Sequence, residues 1–160
     1  MEDFIQIKEE NVIRVGIKDK DGNDIGLILK FDLQDLDLPL RISKMEALHR
    51  KNQSILRQHA IALEKEEDKK GKFLLSWKKE RKIELLKEHY RKEIEALDLL
   101  LGQGMTSNIL KKLDREPYYN MFDDIVDELE PIIDKLNHEA DNLLDNIKQK
   151  YGVEINEDSI

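Results

Sequence analysis

The sequence predicts an α+β fold, mainly α: an N-terminal β-hairpin followed by a long antiparallel αα-hairpin and a C-terminal helical subdomain. Three observations carry this. Apolar residues alternate at period two only within the first forty residues, and from Pro39 onward they recur at spacings of three and four. Two glycines, Gly102 and Gly104, then separate a long apolar-periodic run from a compact aromatic cluster.

The hairpin comes first. Ile13, Val15 and Ile17 alternate with Arg14, Gly16 and Lys18, and Ile25, Leu27, Leu29 and Phe31 alternate with Gly26, Ile28 and Lys30. Such placement turns one face of each strand to a core. Asp19-Lys-Asp-Gly-Asn-Asp24 lies between them, with Gly22 and Asn23 tolerating positive φ. Phe4, Ile5 and Ile7 are candidates for a third strand, and an isolated pair of strands needs a helix or another chain over it. The stripe Ile42, Met45, Leu48, Asn52, Ile55, His59 and Ala62, widened by Leu56 and Leu63, predicts a helix from about Pro39 to Asp68, with Ser43 and Glu46 in capping-box spacing as an alternative start. Glu64 to Lys72 is nearly all charge and reads as an exposed turn or frayed end.

A second helix is expected from Ser76 to Leu101, with Ile83, Leu86, Tyr90, Ile94, Leu97 and Leu101 on its apolar face. Two such stripes joined by a short polar connection form an antiparallel αα-hairpin. Gly102 and Gly104 supply left-handed turn positions, and Thr106, Ser107 and Asn108 are candidate caps for the short helix that follows. Pro117 fits the first turn of a last helix reaching Lys150, in which Pro131 predicts a kink or break near Leu129. The domain reading is a hairpin lobe over 1–38, a helical domain over 39–150 and a frayed tail over 151–160.

Composition narrows the function. The chain has 160 residues, 39% of them hydrophobic and 39% charged, which suits elongated helices over a modest core. With no cysteine, disulfides and thiolate chemistry are excluded. The start, Met1-Glu-Asp-Phe-Ile, lacks a basic segment leading into an apolar one, so no signal peptide is expected. No apolar run approaches the ~20 residues that span a bilayer, so no membrane partner is expected. A net charge of −8 repels phosphate and argues against nucleic acid. That charge is unevenly spread: residues 41–92 hold 16 basic and 8 acidic side chains, and residues 114–160 hold 4 basic and 14 acidic. The default reading is that the two regions face each other or are solvated; the sharper one is that the basic helices meet an acidic partner.

Chemistry-bearing patterns are weak. Asp19, Asp21 and Asn23 have the spacing of calcium ligands, but Lys30 stands where a bidentate Glu is needed, so a turn is the better reading. His49, His59, His89 and His138 include no pair three or four apart, as a helical metal site requires. Asp123, Asp124, Asp127, Glu128 and Glu130 lie early in a helix, where negative charge is favourable, and read as a solvated face. There is no GxSxG and no phosphate loop after Gly102-Gln-Gly104. The expectation is a protein without a catalytic residue, cofactor or metal. Trp77, Tyr118, Tyr119 and Phe122 fill a core or line a partner groove.

The junction Leu99-Leu-Leu-Gly-Gln-Gly-Met-Thr106, its short helix, the step Pro117-Tyr118-Tyr119 and the acidic, apolar helix from Met121 to Glu130 resemble the tail assembly chaperones of long-tailed, siphovirus-type bacteriophages. The likeness covers roughly Ala96 to Leu136, about a quarter of the chain. Leu110-Lys-Lys-Leu113 stands where a Phe-Gly often closes the short helix in such proteins. The resemblance implies a binding protein in the cytoplasm of the bacterial host cell. Its partners would be the tape measure protein and the tail tube protein, during tail assembly. A partner groove is then expected at the junction, lined by Leu100, Leu101, Met105, Ile109, Leu110, Tyr118, Tyr119 and Phe122, with Gly102 and Gly104 as its structural turn. The alternative is a structural virion or scaffold component that forms a homo-oligomer through the N-terminal hairpin.

Overall fold

A computed structural model describes residues 2–8, 11–69 and 75–152. The fold is α+β and mainly α, as the periodicities predict. Its elements are β1 (Val12–Lys18), β2 (Asp24–Asp32), α1 (Asp37–Glu64), α2 (Trp77–Leu101), α3 (Met105–Lys112) and α4 (Met121–Tyr151). The chain divides into two compact units, one of residues 1–39 with 131–160 and one of residues 40–130. The second half of α4 thus groups with the hairpin.

In the first unit, β1 and β2 pair antiparallel, with Ile13 opposite Phe31 and Val15 opposite Leu29. The period-two pattern is realised: the residues predicted to face inward are half-buried or buried, and those between them are exposed. Asp19 organises the turn. Its Oδ1 accepts from the backbone N–H groups of Asp21 and Asn23, both at 2.9 Å, and Gly22 takes φ 81°. Asp19 and its neighbours therefore form a side-chain-stapled turn. Between the pairs Gly16–Ile28 and Lys18–Asp24, three residues of β2, Ile25 to Leu27, stand against Ile17 alone, a bulge of the kind that increases local twist. Phe4, Ile5 and Ile7 form no strand and are exposed. Leu29, Phe31, Leu38 and Leu136 are the unit's buried apolar residues.

In the second unit, α1 and α2 form the antiparallel αα-hairpin. Its direction is fixed by side chains that reach across: Glu93 of α2 meets His49 and Asn52 of α1, and Lys82 of α2 meets Glu64 at the other end of α1. Helix α1 starts at Asp37, two residues before the expected Pro39, and the alternative start Ser43 lies inside it; Asp35 Oδ1 accepts from Asp37 N–H at 3.0 Å. The helix ends at Glu64, and Lys65–Lys69 is exposed; the rest of the charged stretch, Lys70 to Lys72, lies outside the described residues. Ser76 caps α2, accepting from Lys79 N–H at 3.1 Å.

Two expectations about α4 are corrected. It begins at Met121, so Pro117 precedes it and is not in its first turn. Pro131 lies inside the helix without breaking it, although the boundary between the two compact units falls at that residue. Of the expected tail, Tyr151 ends α4 and 153–160 lie outside the described residues.

Candidate functional site

The glycine junction is a turn, built otherwise than expected. Gly102 (φ 111°) closes α2 and Gly104 (φ 76°) opens α3. Both conformations are readily open only to glycine. Thr106, Ser107 and Asn108 do not cap α3, because they lie within it. The cap comes from the preceding helix: Asp98 accepts from Gly104 N–H through Oδ2 and from Thr106 N–H through Oδ1, both at 3.0 Å. A carboxylate in the last turn of α2 opposes that helix's dipole but favours the N-terminus of α3. At the far end of α3, Asp114 adopts φ 52°, its N–H bonds to Lys111 C=O at 3.1 Å, and Arg115 N–H bonds to Leu110 C=O at 2.9 Å. This is a Schellman closure in which an aspartate takes the position usual for glycine.

The tight junction consumes most of the residues expected to line a groove. Leu100, Leu101, Ile109, Leu110 and Phe122 are buried, Met105 and Tyr118 are half-buried, and only Tyr119 is exposed, at 68%. Arg115 stacks over the Tyr118 ring at 3.6 Å. Burial, followed by a hydrogen bond to Asp124, pushes the Tyr118 hydroxyl above its usual range. Five of the eight side chains are thus buried and are not open to a partner.

An open cleft of about 340 Å³ lies beside them within the same unit. Helix α1 contributes His49, Gln53, Leu56, Arg57 and Ala60; α2 contributes His89 and Glu93; Tyr119 and Asn120 precede α4, which adds Phe122 and Asp123. Its base is polar. Glu93 is 3% exposed, accepts from Asn52 Nδ2 at 2.8 Å through Oε1, and bonds His49 Nδ1 through Oε2. The His49 ring stacks on Phe122 with centroids 3.7 Å apart and planes 3° from parallel. Its Nε2 lies 3.9 Å from Oδ1 of the exposed Asp123. One imidazole therefore joins three helices. His89, also buried, has its Nδ1 without a hydrogen-bond partner among the described residues. Burial holds the His89 pKa below its ordinary value; the Glu93 carboxylate offsets part of that, and the nearby His49 adds to it.

The apolar stripe of α2 is offset by about one residue from the face that is buried. On α2 the expected face was Ile83, Leu86, Tyr90, Ile94, Leu97 and Leu101, yet the buried residues are His89, Glu93, Ala96, Leu97, Leu100 and Leu101, and Ile83 is exposed. Polar residues occupy core-facing positions and are invisible to a hydrophobic pattern. On α1, His59 is exposed, while Asn52 is buried because it holds Glu93. His49 and His89 lie on different helices, so spacing along one helix could not bring them together. The signal for Asp98 was present: an acid in the last turn of a helix requires a partner other than that helix.

Asp123 of early α4 approaches the basic helix α1 at His49 Nε2, 3.9 Å away. Arg50, Lys82, Arg81 and Arg91 pair with Glu46, Glu64, Glu84, Glu88 and Glu95, all from α1 and α2 themselves. Among the described residues no His, Asp or Glu group could hold a metal ion, and no helix is long and apolar enough to cross a membrane. The chain matches no family model, no curated protein and no solved structure.

Proposed function

We propose that this protein works by binding, as a tail assembly chaperone that holds the tape measure protein, and with it the tail tube protein, in the cytoplasm of a bacterial host. The likeness of Leu99–Thr106 and Pro117–Tyr119 to that class supplies the biological setting. The observation that carries the mechanism is Tyr119, exposed at the rim of a cleft whose wall is the Phe122 ring. An exposed aromatic beside a concavity is the usual anchor of helix-in-groove recognition. The buried junction residues hold that rim in place from beneath.

Co-expression with the tape measure protein of the same phage, followed by affinity capture, tests the reading. Tyr119→Ala removes an exposed ring, so it should reduce capture at least about tenfold while changing stability by less than about 0.5 kcal/mol. Undiminished capture would refute it. The second reading, self-assembly through the hairpin, draws on Ile28, an apolar residue 65% exposed on β2. Light scattering separates the two: a hairpin-driven assembly grows with concentration and is abolished by Ile28→Lys.

A further inference from the structure

The proposed function leaves open the chemistry of the segment that enters the cleft, and the polar groups there specify it. We infer that the cleft receives a lysine or arginine of an amphipathic client helix, held by Asp123 and the face of Tyr119; this rests on the binding reading above.

Three observations lead to it. The Glu93 carboxylate fixes the proton of His49 on Nδ1, because a carboxylate only accepts. The Nε2 of His49 lies 3.9 Å from a carboxylate oxygen of Asp123, beyond hydrogen-bond reach, so that oxygen is open to a further donor. An ammonium or guanidinium group that reaches it gains a charge-assisted hydrogen bond. Second, Asp123 opens a run of five carboxylates, Asp123, Asp124, Asp127, Glu128 and Glu130, none paired with a Lys or Arg among the described residues. A basic partner is complementary to that run, and Tyr119, exposed beside it, offers a ring face to a cation. Third, the opposite end of the cleft carries Arg57, without an ion-pair partner among the described residues. Arg57 follows His49 by eight residues on α1, roughly 12 Å along the axis at 1.5 Å per residue. A client helix lying along the cleft therefore places a cation at the Asp123 end and an acid about two turns away at the Arg57 end.

Designed helical peptides of about 20 residues test this. Each carries a leucine face, a glutamate about two turns from the anchor position, and Lys, Gln or Glu at the anchor. Each is made in both sequence orders, since a cleft accepts either helix direction. Affinity measured by fluorescence anisotropy should follow Lys over Gln over Glu, with about a tenfold span that shrinks in high salt. Asp123→Asn should flatten the order and Asp123→Lys should invert it. Equal affinity for the three anchors, an order unchanged by Asp123→Lys, or no binding of any peptide below about 1 mM would overturn the inference. The outcomes also separate it from the parent reading. Capture of the tape measure protein with no lysine preference discards the cation and keeps the chaperone. A lysine preference without capture keeps the surface and discards the named client.

Discussion

Replacing Glu93 with alanine removes the α2 acceptor that two donors of α1 share. Nδ2 of Asn52, 2.8 Å from Oε1, and Nδ1 of His49 both lose their partner in a region where Asn52 is 2% exposed. A buried donor left unpaired costs about 1–3 kcal/mol, and two donors lose their partner here. The loss is therefore about 2–6 kcal/mol, a large share of the stability of an ordinary domain. With a urea slope of about 2 kcal/mol/M, the midpoint should fall by roughly 2 M. Trp77 lies at the start of α2 in the same compact unit, so its fluorescence follows the relevant transition. A triple variant, Glu93→Met with Asn52→Leu and His49→Phe, removes donors and acceptor together and should recover most of the loss, because apolar groups of similar shape replace buried polar networks at little cost. If Glu93→Ala lowers stability by less than about 1 kcal/mol, the cluster does not hold the helices together and the account of the cleft base fails.

Other consequences are open to measurement. His89 sits below its ordinary value of 6.5 in the folded chain because burial disfavours the charged ring. The unfolded chain therefore takes up the proton first as pH falls. The contribution of His89 to stability is full above about 6.5, declines as pH drops through that value toward the lower folded-state pKa, and is constant below it. Urea midpoints measured across that window should fall with pH, and His89→Leu should reduce the slope; an unchanged slope would count against a buried, neutral His89. Asp98→Ala leaves the N–H groups of Gly104 and Thr106 without their acceptor. It should cost about 1–2 kcal/mol, and amide exchange at those two residues should accelerate. Equal exchange in the two proteins would show that the N-terminus of α3 is held by something else.

Much of the architecture was legible because its signals are local. The alternation through Ile13–Ile17 and Ile25–Phe31 gave the strands, and the three-and-four spacing gave α1 and α2 nearly to their ends. The turn at Asp19 followed from the conformational preferences of aspartate and glycine. The expectations that failed were of another kind. Phe4, Ile5 and Ile7 have the composition of a strand, but a strand forms only where a partner edge is in register. Thr106 was a good cap by type, yet its own N–H is capped by Asp98 eight residues earlier.

What the sequence by itself determined is the set of elements and the class of fold, since hydrophobic period and turn chemistry act between neighbours in the chain. What only the tertiary structure decided is which of those residues remain available to a partner. Leu100, Ile109 and Leu110 look identical, as letters, to groove residues, and they are buried because α3 folds back on α2 at two glycines. His49 and Glu93 lie 44 residues apart, and their meeting depends on the length and direction of the αα-hairpin. Periodicity along the chain marks the face of an element that turns inward, but cross-helix pairing and the sealing of one apolar face rather than another depend on distance in space.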